Sequence, residues 1–509
     1  MANYSFDYSS EQKEYFERLI PAGDMEKLPL YGTFCELLEN CRKKFADCPA
    51  ISDMVNTVTY SELYDRIAKR RGFIYSEGFK KGDNIAVLAP NGLAAMELYM
   101  AIPTAGCTVI MLPAAPNALS AGDIQRITAK FDIRAIFANP EFADITAEAG
   151  TRVYDISAAS DKAAPMAEVS PEDTAVIRFS VSGDAGSPHG AMLSHRAIMR
   201  AAHNGLFVPG SPFGQRTVAI LPLSHVFGAI RGLLTCIYTG ALVYACEDMS
   251  NIVFDIPKMR PTILTLVPGL AEMVLSVARI KGKDFLAGIE TIICGGAYVQ
   301  PKLVKAAEAL GIRLFVGYGL TEAANIVTGN VDTDKVADSV GKVYPGTEVR
   351  IIDGEIQVKG DVVMKGYYND PESTRKVFTA DGWLRTGDLG EFDGEGFLHI
   401  TGLRKNLIIL PNGENISPEE LERYFGRLEG VEDCLIREDE LRGRPLLAAV
   451  IKPDMDYYSG WEPGDIEADL KARVREAGEK LPSYKIVTKT VVSTEALDHT
   501  VRDRYYSIQ

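Results

Sequence analysis

The sequence predicts an α/β protein with a large N-terminal domain of parallel-rich sheets and helices, a β-rich subdomain, and a small α+β C-terminal domain. Three observations carry this reading. Short apolar strands alternate with helix-like segments through most of the chain, the pattern turns to alternating strands with DG and EG turns after about residue 335, and it changes again beyond residue 403. The 509 residues also exceed what one ordinary core organises, so at least two domains are expected.

Taken in order, residues 84 to 119 read NIAVLAPNG, LAAMELYMAIPTAG and CTVIMLP, which is strand, helix, strand and predicts a βαβ unit in a parallel sheet. The pattern returns at TVAILPL, PTILTLVP, IETIICGG and IRLFVGYG, with helix-like segments such as VQPKLVKAAEALG between them, so the sheets should be covered on both faces. GTEVRIIDGEIQVKG and GEFDGEGFLHITG predict antiparallel hairpins, which places the β-rich subdomain at about 335–402 within a domain spanning 1–402. In SPEELERYFGRL, Ser417 and Pro418 form an N-cap and first-turn pair. With the strand-like LLAAVIKP and IVTKTVVS and the helical DIEADLKARVREAGEKL, they define a small mobile domain over 403–509.

Composition excludes several classes. A formal charge of −15 argues against nucleic acid and against an anionic membrane surface. The polar, acidic N-terminus has no signal-peptide pattern, and the most apolar stretch, around 217 to 246, is broken by Pro222, His225 and Arg231. The eight cysteines (Cys35, Cys41, Cys48, Cys107, Cys236, Cys246, Cys294 and Cys434) are scattered without zinc spacing, and reduced thiols in a cytoplasmic protein are expected.

The sharpest local feature is SVSGDAGSPHGAMLSHRAI, residues 180 to 198, directly after TAVIRF. A glycine- and serine-rich loop leaving a strand can wrap phosphates with N–H groups and hydroxyls, although a plain surface loop looks similar. Five further segments follow in order: LPLSHVFG (221–228), GGAYV (295–299), GYGLTEAA (317–324), GWLRTGDLG (382–390) and GLRKNLIILPNGENISPEELE (402–422).

These six segments resemble, over nearly the whole chain, the motifs of the adenylate-forming, AMP-binding superfamily of acyl- and aryl-CoA synthetases, luciferases and peptide-synthetase adenylation domains. The resemblance implies an ATP-dependent, AMP-forming ligase. It would activate a carboxylic acid as an acyl adenylate and pass it to the thiol of coenzyme A or of a phosphopantetheine on an acyl carrier protein, with Mg²⁺ as cofactor. It implies nucleotide contacts from Ser182, Gly183, Asp184, Gly186 and His189 in the phosphate loop. Gly295, Gly296 and Ala297, then Gly317, Tyr318, Gly319 and Thr321, would line the adenine side, and Asp388 would hold the ribose. Glu322 would bind the metal and act with Thr321, His225 would gate the acyl site, Lys405 would mark the hinge, and Arg504 would stand at the catalytic lysine position, with His499 as a weaker alternative there.

Plainer readings stand beside these. Glu322 also fits a solvated helix-start acid, Asp388 a turn cap, Tyr318 an ordinary core ring and His225 a satisfied buried histidine. Ser194 and His195 should pack or fix the loop, and His203 and His399 should be structural.

The chain departs from the family pattern at the nucleotide site, with Leu403 removing a polar contact to the ribose and the other changes removing donors and positive charge around the triphosphate. The loop of the family runs Ser-Gly-Thr-Thr-Gly, any residue, Pro-Lys-Gly; here the threonines are Asp184 and Ala185 and the lysine is His189. Leu403 replaces the arginine that follows the hinge glycine, with Arg404 next door, and the catalytic lysine becomes Arg504, counted from LPSYK and Thr500. Each lost charged hydrogen bond costs roughly 1.5–3 kcal/mol, so several together slow adenylation by orders of magnitude. The alternative function is therefore a divergent, weakly active or non-catalytic relative that binds AMP, an acyl adenylate or a partner protein.

Overall fold

The computed structural model describes residues 4–5, 11–21, 23–114, 118–180, 189–247, 252–286, 288–403, 408–409, 415–416, 418–441, 444–481, 485–497 and 499. Its first sheet has six strands in the order Arg152–Asp155, Ile133–Ala138, Asn84–Leu88, Thr108–Met111, Thr174–Ser180 and His189–Ser194. Neighbours run parallel except the last pair. The expected βαβ unit is present, with the helix Leu93–Thr104 between Asn84–Leu88 and Thr108–Met111. That helix is buried continuously from Ala95 to Thr104, so its sequence is apolar on every side and shows no amphipathic stripe.

A second sheet pairs Arg216–Ala219, Leu242–Ala245 and Pro49–Ser52 in parallel and ends in the antiparallel Thr57–Thr59. The third sets Ile263–Leu266, Thr291–Cys294 and Arg313–Tyr318 in parallel, followed by the antiparallel Thr328–Asn330 and Lys342–Val343. Helices Pro268–Lys281 and Pro301–Ala309 each begin on a proline, whose missing N–H would have no intrahelical partner at that position.

The hairpins expected after residue 335 are antiparallel: Thr347–Ile352 with Glu355–Gly360, and Leu384–Phe392 with Leu398–Leu403. Asp353 and Gly354 both take positive φ, 51° and 80°, as a tight hairpin turn between twisted strands requires. The C-terminal part has its own three-stranded sheet, Val431–Leu441, Arg444–Pro453 and Lys489–Val492, and its own core around Leu421, Phe425, Ile436, Ile451 and Leu470. Helix Pro418–Phe425 starts where the sequence pair places it; the proposed cap Ser417 lies outside the described residues.

One difference from the sequence reading concerns residues 180–198, read there as a single loop. From His189 the chain forms an antiparallel strand, and Ser194 then caps helix His195–Asn204 by accepting from the Ala197 N–H at 3.1 Å. A methyl at Gly190 would lie 2.3 Å from the Phe131 ring, so the strand exists through a close tertiary approach that local propensity does not report. All eight cysteines are free thiols, and no helix among the described residues is long and apolar enough to cross a membrane.

Candidate active site

Three of the motif segments leave carboxyl ends of parallel strands, where open α/β sheets place their ligands. LPLSHVFG follows Arg216–Ala219, GGAYV follows Thr291–Cys294, and GYGLTEAA begins within Arg313–Tyr318. A methyl placed at Gly295 would lie 3.1 Å from the Gly317 carbonyl oxygen and 3.5 Å from the Phe227 ring, so the three segments meet at one point. Gly319 is needed for a different reason: a methyl there would lie 2.2 Å from the Asn325 backbone, because the loop folds back on itself. The turn ends with Ala324 and Asn325 both left-handed, φ 45° and 62°, a cost of roughly 1 kcal/mol or more for each non-glycine residue.

Side chains then tie this loop to the antiparallel sheet. Tyr318 donates its phenol hydrogen to the Asp388 carboxylate, and burial with that anion holds the phenol well above its ordinary range. Asp388 lies within the strand Leu384–Phe392, after Gly387 at φ 75°, and does not cap a turn; its N–H donates to the Thr386 hydroxyl at 3.0 Å, and it pairs across the sheet with Leu403. Glu322 is only 4% exposed and accepts from the Tyr367 hydroxyl at 2.8 Å, and its carbonyl accepts from the Met364 N–H at 2.8 Å. His189 stacks obliquely on the Tyr367 ring, centroids 4.8 Å apart, while its Nδ1 lies 2.9 Å from Asp370 Oδ2. Asp370 also caps the helix Pro371–Val377 through the Ser373 N–H, and these bonds lower its pKa.

The structure therefore brings His189, Gly295, Gly317, Tyr318, Gly319, Thr321, Glu322 and Asp388 into one set of contacting segments; Gly296, with φ 82°, and Ala297 continue from Gly295. Ser182, Gly183, Asp184, Ala185, Gly186, Arg404, Lys405, Thr500 and Arg504 lie outside the described residues, as does the Leu403 side chain. Sequence reasoning passed over Tyr367 and Asp370, which hold Glu322 and His189; a tyrosine and an aspartate in MKGYYND carry no local signal for that task.

His225 in LPLSHVFG is exposed, and surrounding protein together with the nearby Arg178 charge keeps its pKa below the usual histidine value. The next segment, Gly228–Leu234, winds as a π-helix, a form that recurs at functional sites. The remaining histidines each have a partner within the fold. His195 is 1% exposed and its Nδ1 accepts from the Phe34 N–H at 3.3 Å, while His203 Nε2 donates to the Leu28 carbonyl at 3.1 Å. His399 pairs with Asp393 at 3.2 Å. His499 pairs with Asp433 at 3.0 Å, and its pKa is raised to about 10 by its hydrogen bonds to Asp433 and Glu422.

The C-terminal part rests on the same region. Arg427 pairs with Asp338 at 2.6 Å, Lys302 donates to the Glu432 carbonyl at 3.0 Å, and the Arg423 guanidinium lies 6.0 Å over the Tyr298 ring within GGAYV.

With this geometry in place, residues 38–368 match the family model described as AMP-binding enzyme. The chain belongs to that family. It is 30% identical to a feruloyl-CoA synthase of Amycolatopsis sp, over 88% of this chain and 94% of that protein. It is 27% identical to a long-chain-fatty-acid–CoA ligase of Yersinia pestis, over 83% of this chain and 86% of that one. The fold is that of O-succinylbenzoate coenzyme A synthetase from Bacillus subtilis, solved in complex with ATP and magnesium ion, with a TM-score of 0.73 at 23% identity over 92% of this chain and 97% of that one. As a family member, the AMP-binding enzyme described here is an acid–thiol ligase.

Proposed function

We propose that this enzyme uses ATP to convert a carboxylic acid into an acyl adenylate and then transfers the acyl group to coenzyme A, with a carrier-protein pantetheine as the other candidate acceptor. The observation that carries the reading is the pair of contacts Tyr318–Asp388 and Glu322–Tyr367, which anchor the segment at the carboxyl end of the parallel strand Arg313–Tyr318.

A carboxylate is a weak nucleophile, and its attack on the α-phosphate gathers negative charge while pyrophosphate leaves. Catalysis then rests on positioning and on charge stabilisation. In this reading Tyr318 offers its ring to adenine while its hydroxyl orients Asp388 toward the ribose. Glu322, with the Thr321 hydroxyl beside it, suits magnesium, which is commonly held by one or two carboxylates while phosphates and water complete its shell. When bound, magnesium would neutralise phosphate charge. The Tyr367 hydroxyl fixes the Glu322 carboxylate for that task. Residues 403–509 are proposed to turn about the Lys405 hinge between the two half-reactions.

The phosphate side supports the second reading, a weakly active or non-catalytic binder of AMP or acyl adenylate. The residue at the loop lysine position, His189, is already engaged by Asp370. ATP–pyrophosphate exchange over a panel of acids separates the two: exchange with at least one acid supports the ligase, and AMP binding without exchange supports the binder.

A further inference from the structure

Arg178 sits within the strand Thr174–Ser180 that leads into the glycine-rich loop, and it is 1% exposed. Side chains alternate along a strand. Phe179 accordingly packs on Phe131 on one face, centroids 5.0 Å apart, and Arg178 points to the other. There its Nη1 donates to the Leu223 carbonyl in LPLSHVFG, and its guanidinium lies 5.2 Å from the centre of the Tyr99 ring. Its Nε and Nη2 have no hydrogen-bond partner among the described residues, and neither does the buried Tyr99 hydroxyl.

Two other arginines show what that edge of the guanidinium binds. Arg70 gives Nε and Nη2 to Glu97 at 2.9 and 2.8 Å, and Arg200 gives the same two atoms to Asp361 at 3.0 and 2.9 Å. The Nε–Nη2 edge is a planar fork matched to a carboxylate. In Arg178 the same fork is buried with no acid facing it among the described residues. A buried, unpaired charge is costly, and native proteins keep one where a ligand or ion completes it. A water molecule would satisfy the hydrogen bonds and leave the charge unbalanced.

We infer that the acid substrate carries a second carboxylate, which the Nε–Nη2 fork of Arg178 receives beside the LPLSHVFG segment. The inference rests on the ligase reading, since it names the substrate class of that site. An acid with an apolar tail would leave the fork unpaired, whereas a dicarboxylic acid presents one carboxylate to ATP and the other to Arg178. The Leu223 carbonyl and Tyr99 hold the guanidinium on the side of the acyl motif.

The test uses the full chain and saturated acids of four to eight carbons, comparing dicarboxylates, monocarboxylates of equal length and their terminal methyl-ketone analogues. For the wild type, kcat/KM in ATP–pyrophosphate exchange should favour the best dicarboxylate over its monocarboxylate by roughly tenfold or more. Arg178→Met should collapse that ratio, and Arg178→Lys, a point charge without the fork, should fall between them. The dicarboxylate should also raise the Tm of the wild type and leave that of Arg178→Met unmoved. Equal use of mono- and dicarboxylates, or stronger use of the ketones, overturns the inference and leaves the ligase reading intact. A uniform loss with all acids, accompanied by a raised KM for ATP, assigns the fork to phosphate and also overturns it. Exchange with no acid, together with an Arg178-dependent Tm shift, retains the carboxylate site and removes the ligase reading. If both signals are absent, both fall. Arg178→Met should itself be as stable as the wild type, because an unpaired buried charge is removed; a lower Tm with an unchanged ratio would mean a structural role and overturn the inference.

Discussion

On the proposed adenosine side of the cleft, each acidic group is held by a tyrosine: Asp388 by Tyr318 and Glu322 by Tyr367. On the phosphate side, the residue at the loop lysine position is a histidine tied to Asp370, and the two hydroxyl positions of the loop are Asp184 and Ala185. At Tyr318, Glu322 and Asp388 the first side keeps the family's residue types with partners that fix them, although Leu403 replaces an arginine there, whereas the second has lost donors and positive charge. The two sides are nonetheless joined: His189 stacks on Tyr367, and the strand that begins at His189 bonds to the same segment through the Tyr368 N–H to the Gly190 carbonyl and the Met192 N–H to the Gly366 carbonyl.

The hardest way to break the adenosine half is Asp388→Ala, which removes the ribose acceptor and leaves the Tyr318 hydroxyl without its anion. AMP affinity by calorimetry and exchange by radiolabel should both fall by roughly a hundredfold, about 3 kcal/mol. Unchanged AMP affinity would leave Asp388 only its hydrogen bond to Tyr318 within the sheet. Acid sets the range in which such comparisons hold. His195 and His203 are buried, and burial lowers the pKa of each to about 4. The unfolded chain protonates them near pH 6.5, so their neutral folded form contributes fully above 6.5, progressively less as the pH falls toward 4, and nothing further is lost below that. Between pH 6.5 and 5 each should cost about 2 kcal/mol, and His195→Gln should flatten the Tm-versus-pH curve in that window.

The phosphate half can be sharpened by restoring what it lacks. His189→Lys with Asp370→Asn frees a cation from its acid and should raise exchange roughly tenfold, about 1.4 kcal/mol, with a further gain from Asp184→Thr. No gain would mean that a weakened phosphate side does not limit the reaction. The smallest effect belongs to the contact between the two parts of the chain. Arg427 is solvent-accessible, so Arg427→Ala should change exchange by less than about threefold, below 1 kcal/mol. Its influence should appear in the thiol-transfer half-reaction, measured as acyl-CoA formation from added adenylate.

Much of the architecture was legible because it is periodic. The βαβ unit at 84–111 and the hairpin turning at Asp353–Gly354 follow from apolar spacing and turn chemistry that act over a few residues. The motif segments were legible because each is contiguous. Tyr367 and Asp370 were not, since their partners Glu322 and His189 are 45 and 181 residues away and nothing in MKGYYND points to either. The strand His189–Ser194 was missed for a related reason, because Gly190 is permitted only by its approach to Phe131, a contact made by another part of the sheet.

By itself the sequence determined the α/β class, the order of strands and helices, and the residue types offered to a nucleotide, because these depend on local spacing and on side-chain chemistry. Only the tertiary structure decided which of those groups are engaged and which remain open. Pairing depends on distance in space, so His189 became committed to Asp370 while Arg178, an ordinary arginine in a strand when read along the chain, was left with an empty fork in the interior.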